Sequence, residues 1–127
     1  MAHLEMNNAI MQESYRDAHL ELDYRRPSLT VDARPVKLTR KEYELMTLLT
    51  RNAGEIVPRD VLLMRVWGYS REIRTRTLDV HIRRLRKKLG VYGEQYIETI
   101  FGVGYRFQPF RESRPFHLYG GAMSVVA

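Results

Sequence analysis

Residues 74–90 read RTRTLDVHIRRLRKKLG, a segment that is at once strongly basic and apolar at helical spacing. On a helical wheel spanning 75–89, Leu78, Ile82, Leu85 and Leu89 fall within ~40° of one direction, which makes a stripe for burial. Arg76, Val80, Arg83 and Lys87 lie on the opposite side, with Arg84 beside them. Between Arg71 and Lys88 there are eight basic residues and two acidic ones, Glu72 and Asp79. The chain as a whole carries +6, so its entire excess charge resides in this segment. A solvated face would balance its cations with acidic residues one helical turn away, and this one does not. Arginine outnumbers lysine here, and the planar guanidinium fork suits phosphates and guanine edges. Val80, small and apolar among the cations, suits contact with a thymine methyl.

A length of 127 residues allows one domain, and a hydrophobic content of 44% supplies its core. Localised positive charge points to a polyanionic partner, either nucleic acid or an anionic membrane surface. The membrane reading conflicts with the apolar stripe, which is needed for a core with the preceding helices. No apolar run approaches the ~18–20 residues of a membrane span. The N-terminus lacks the apolar core of a secretory signal. The chain has no cysteine, so disulfides and thiolate metal sites are excluded. A soluble, cytoplasmic protein is expected.

Outward from the basic segment, the other elements carry their own punctuation. HLELDYRR (19–26) and SLTVD (28–32) alternate with period two, and Arg26-Pro27 and Asp32-Ala33-Arg34-Pro35 break them. They predict short strands in a small antiparallel sheet. LTRKEYELMTLLTRNAG (38–54) predicts a helix with a Thr39–Glu42 capping box, a Leu38–Tyr43 staple and Gly54 at its C-terminal stop. Pro58 opens a second helix that Gly68 ends. YIETI (96–100) and YRFQ (105–108) flank FGVG (101–104), which reads as a β-hairpin. Residues 1–18 are read as a linker or tail, 19–109 as the domain, and 110–127 as a C-terminal tail.

Two helices, a basic third helix and a hairpin are the order of a winged helix, whose third helix enters the DNA major groove. LTRKEYELMTLL, VLLMRVWG, RTLDVHIRRLRKKLG and YIETIFGVGYRF resemble the OmpR/PhoB-type winged-helix output domain of bacterial two-component response regulators. The resemblance covers about residues 19–109. It implies an α+β fold: a winged helix-turn-helix with a small N-terminal antiparallel sheet, three helices and a C-terminal β-hairpin wing. It implies sequence-specific binding to double-stranded DNA for transcription regulation, on tandem direct repeats, by a protein that is a monomer alone and a dimer on DNA.

Residue by residue, the resemblance implies a recognition helix from near Thr75 to near Leu89. Arg76, His81, Arg83 and Arg86 match phosphate-contacting positions, with Thr77 and Lys87 in the same interface. Arg84 and Val80 match base-facing positions. Asp79 stands near them, and its type suits reading a base or orienting Arg76 or Arg83. Trp67 matches a position at the end of the second helix that touches the DNA backbone, and its type equally suits the core. Thr99 and Tyr105 match wing positions near phosphate. The loop holding Tyr69, Ser70, Arg71 and Glu72 corresponds to the one that relatives use to contact RNA polymerase.

The chain departs from that pattern at Phe101, where many members carry arginine, at Pro58, where Ser or Thr often caps, and at Ala33, where a turn glycine is common. A receiver domain needs ~100 residues or more, and about 18 precede the first strand read here. The expectation is a receiver-less regulator or an isolated output domain. A non-specific architectural or RNA-binding module would use the same basic helix, although few aromatics are available for stacking single strands. An enzyme is not expected: the four histidines are scattered, and GVG at 102–104 is followed by a strand rather than a helix. No cofactor or metal is expected.

Overall fold

A computed structural model describes residues 13–111. Four short strands, β1 (Ser14–Arg16), β2 (Leu20–Asp23), β3 (Ser28–Val31) and β4 (Arg34–Val36), form an antiparallel sheet in chain order. Leu20, Leu22 and Leu29 point inwards and are buried, as their period-two spacing requires. Three helices follow: α1 (Arg40–Arg51), α2 (Arg59–Trp67) and α3 (Thr77–Lys88). A single 3₁₀ turn, Gly90–Tyr92, leads into a one-turn helix, α4 (Gly93–Tyr96). The last strands described form a hairpin of β6 (Ile97–Ile100) and β7 (Gly104–Phe107).

The capping box expected at the start of α1 is present. Thr39 accepts from the Glu42 amide at 3.2 Å, and the Glu42 carboxylate accepts from the Thr39 amide at 2.8 Å. Leu45, Met46 and Leu49 of α1 meet Leu62, Leu63 and Val66 of α2 and Leu78, Ile82 and Leu85 of α3 in one core. Tyr96 and Phe107 stack in that core with ring centroids 5.4 Å apart.

The structure differs from the sequence reading at several points. Arg34 and Pro35, read as part of a break, lie in β4 and pair with β3. Ser14–Arg16, read as tail, is a strand paired with β2. At the other end, Phe110 packs edge-on against His19, and its amide donates to Asp17 at 3.1 Å, so the fold extends past both 19 and 109. Pro58 does not open α2; it closes a strand, β5 (Ile56–Pro58), and takes the N-cap position with Arg59 as the first helical residue. β5 pairs with β7, so the wing is the outer part of a three-stranded sheet in the order β5-β7-β6. Proline is tolerated because β5 is an edge strand. Finally, α4 makes a fourth helix. Each missed element is three or four residues long, too short for a period to show. The sequence readings for residues 1–12 and 112–127 lie outside the described residues.

Two polar knots tie the layers together. The Asp17 carboxylate accepts from the hydroxyls of Tyr15 and Tyr96 and the amides of His19, Leu20 and Phe110. It thereby joins the first sheet to α4 and to the chain beyond the wing. Glu42, only 1% exposed, also accepts from Lys88 Nζ at 2.6 Å. That bond fixes the start of α1 against the end of α3. Burial opposes ionisation of Glu42, but Lys88 and the Thr39 amide outweigh it and hold the carboxyl below its usual range.

The β3–β4 hairpin turns through Asp32 and Ala33, both at positive φ (51° and 66°). Such a two-residue turn favours glycine, because a Cβ in the left-handed region is strained. Replacing Ala33 by glycine is expected to raise stability by about 0.5–1 kcal/mol, the relief of strain less the added freedom of the unfolded chain. The urea midpoint checks it. Glu42→Gln is expected to lower stability by about 1–3 kcal/mol, since Lys88 loses its buried ionic partner. Because the folded Glu42 carboxyl is depressed, its contribution is complete above the unfolded value of about 4.3 and lost as pH falls through the lower folded value. Urea titrations from neutral to acid pH should therefore show a shallower decline in the Gln variant.

Candidate nucleic-acid interface

The burial stripe of α3 sets everything displayed on its other side. With Leu78, Ile82 and Leu85 in the core, Arg83, Arg84 and Lys87 stand in solvent and Val80 is half-buried between them. Among the described residues, none of Arg83, Arg84 and Lys87 takes part in an ion pair. Arg86, Lys87 and Lys88 occupy the last turn, where the helix dipole favours cations. Arg76 caps the N-terminal end, exposed, and its charge helps keep the neighbouring Asp79 ionised.

Other residues singled out in the sequence are turned towards partners within the protein. Asp79 accepts two hydrogen bonds from Arg59, each 2.8 Å, and one from the Tyr105 hydroxyl at 2.6 Å. Its partner is thus neither Arg76 nor Arg83. Arg59 holds the Asp79 carboxyl below the usual range, and Asp79 in turn raises Arg59. Tyr105 is 6% exposed, and burial together with the Asp79 hydrogen bond pushes its hydroxyl up to about 12. Arg86 donates to the Ile97 carbonyl from Nε (3.0 Å) and Nη2 (2.7 Å) and to Thr99 Oγ1 (2.7 Å). Its guanidinium carbon also lies 5.9 Å from the Tyr105 ring centre. Asp79, Arg86, Thr99 and Tyr105 therefore form the joint between α3 and the wing, with Arg59 of α2 closing it. Arg59 was not singled out in the sequence, because nothing local marks an arginine whose partner is 20 positions away.

At the flank of α3, His81 Nδ1 donates to the Thr77 carbonyl at 2.7 Å. A neutral ring so oriented offers Nε2 as an acceptor, and only the protonated ring donates from both nitrogens. Its ring packs edge-to-face with Trp67, the ring centroids 4.9 Å apart. Trp67 is half-buried against the core, with Lys41 Nζ 5.9 Å from its ring centre. The Thr77 amide donates to Thr75 Oγ1 at 3.1 Å, which helps satisfy the first turn of α3. In the loop after α2, Tyr69 packs on the core while Ser70, Arg71 and Glu72 are exposed. Arg71 reaches back to Asp60 at 3.2 Å.

The arrangement is a helix anchored by one face and cationic on the other, braced by a wing, with half-buried Trp67 and His81 at its flank. Among the described residues no group of acidic, histidine or cysteine side chains could hold a metal ion. No helix among them is long and apolar enough to cross a membrane.

Residues 33–107 match the family described as transcriptional regulatory protein, C terminal. The response regulator ArlR of Staphylococcus saprophyticus is 45% identical over 78 residues, which are 61% of this chain and 36% of that protein. ArlR of Staphylococcus aureus is 44% identical over the same length. The chain thus spans about a third of the length of these curated relatives. Among solved structures, the Klebsiella pneumoniae RstA DNA-binding domain in complex with the RstA box superposes with a TM-score of 0.71 at 29% identity, over 78% of this chain and 100% of that one. The DNA-binding domain of E. coli CpxR gives 0.70 at 28% identity, over 77% and 98%. With the winged-helix architecture already in place, these matches show that the chain belongs to the OmpR/PhoB-type family of response-regulator C-terminal DNA-binding domains.

Proposed function

We propose that this chain reads the sequence of double-stranded DNA with α3 in the major groove and regulates transcription in the bacterial cytoplasm. The observation that supports this most directly is the unpaired cationic face of α3, held outwards by a fully buried opposite face. Arg84 and Val80 are the base-reading residues. Arg76, Arg83 and Lys87 hold phosphates, His81 joins them when its ring carries both protons and Nε2 can donate, and the first turn at Thr77 and the edge of Trp67 lie along the same backbone. Asp79, Arg86, Thr99 and Tyr105 act by positioning, since their polar atoms already bond within the protein.

Two copies bind head to tail on a direct repeat about one helical turn apart, while the isolated chain is a monomer. The exposed loop with Tyr69, Ser70, Arg71 and Glu72 is the surface for RNA polymerase. Asp60 holds Arg71 in that loop, which gives the segment a defined shape for a protein partner.

Selection of duplexes from a randomised pool at ~150 mM salt, followed by sequencing, tests this reading. An enriched direct repeat is the expected result, and a pool that remains random would leave only phosphate binding. On the enriched duplex, Arg84→Ala is expected to relax discrimination at one position by about 1–3 kcal/mol, while Arg76→Ala weakens all sequences alike. An Arg84 variant with unchanged sequence preference would remove that residue from base reading. Neutralising ~5–7 phosphates predicts a log–log salt slope of roughly −4.5 to −6, which anisotropy titrations across salt concentrations would measure.

A further inference from the structure

The wing tip presents an aromatic ring that the protein itself does not use. Phe101 is 89% exposed, more than any other large apolar residue described. It stands at the second position of a tight turn in which the Val103 amide donates to the Ile100 carbonyl at 2.9 Å. Gly102 follows at φ 78°, the left-handed third position of a type II turn. The turn is braced from behind. The Arg59 amide donates to the Val103 carbonyl at 2.9 Å. Gly104 sits so close to β5 that a Cβ there would meet the Val57 carbonyl oxygen at 2.1 Å. The ring is therefore held out on a rigid mount, and no aromatic or cation contact among the described residues engages it.

Its surroundings identify its partner. Val103, 47% exposed, lines one cleft with Arg59, Arg71, Arg74, Thr75 and Arg76 at the start of α3. Val103, two positions from Phe101 in the same turn, thus shares a cleft with several guanidinium groups. Cations for phosphate beside a ring for sugars and bases match the chemistry of duplex DNA. Two side chains make too small a patch for a stable protein interface, which buries about 800 Å² per partner. The ring has no hydrogen-bond donor, so it cannot read the acceptors on the minor-groove floor as an arginine would. What it can sense is how easily a base step opens.

We propose that Phe101 is an apolar wedge that enters the minor groove next to the α3 contact and partly unstacks one base step, so that the wing selects deformable pyrimidine–purine steps over stiff A-tracts. This inference rests on the DNA-reading function proposed above.

The test uses the enriched duplex with 2-aminopurine placed at each adenine in turn, together with end-to-end fluorescence transfer to report bending. Wild type is expected to raise 2-aminopurine emission at one step under the wing and to bend the duplex. Phe101→Ala should melt like wild type and lose both signals, and it should bind about tenfold more weakly, the scale of a lost apolar contact partly offset by the unstacking it no longer drives. Phe101→Arg should bind without unstacking. Equal emission and bending in wild type and Phe101→Ala, or no rise in wild type, would overturn the wedge while leaving DNA reading intact. Failure to enrich any duplex would overturn the DNA-reading function, and the wedge with it.

Discussion

Burial of Leu78, Ile82 and Leu85 is the constraint on which the rest of this structure depends. A helix cannot rotate about its axis once such a stripe is fixed in a core. The stripe therefore determines which way Arg83, Arg84 and Lys87 face. Like charges at this density repel one another, so the helix is tolerated only because the core contact and the favourable dipole at its C-terminal end hold it in place. The same contact keeps the cations in water, where they are available to a polyanion.

A recognition surface also needs its parts at fixed distances, and ion pairs and hydrogen bonds supply this. Asp79 gathers Arg59 from α2 and Tyr105 from the wing, so three elements meet at one carboxylate. Arg86 ties the other end of the joint to the Ile97 carbonyl and Thr99. Lys88 anchors the last turn to Glu42. Within a segment that looks uniformly basic, the charges thus divide into two groups. Arg86 and Lys88 hold the protein together. Arg83, Arg84 and Lys87 remain for a partner. The backbone contact between Arg59 and Val103 carries the bracing out to the wing tip.

The main elements were legible in the sequence because each carries local marks. The Thr39–Glu42 box, the apolar faces of α1 and α3, Gly68 and the glycines around Val103 announce starts, faces and stops within a few residues. The outward set Arg76, Val80, Arg83, Arg84 and Lys87 followed from the wheel alone. β1, β4, β5 and α4 did not show, because three or four residues offer no period. Pro58 was read as a helix opener for the same reason: the strand it closes becomes visible only when β7 is beside it.

What one stretch of chain could settle by itself was its own face: which residues of a helix turn inwards and which turn out. The fate of each charged residue was a different matter, because it depends on a partner remote in the chain. Asp79 and Arg59 are 20 positions apart, and Lys88 and Glu42 are 46 apart. Neither spacing corresponds to any helical or strand repeat. Only when the core packs α1, α2, α3 and the wing together do those side chains come within hydrogen-bond reach and choose between bracing the fold and facing solvent.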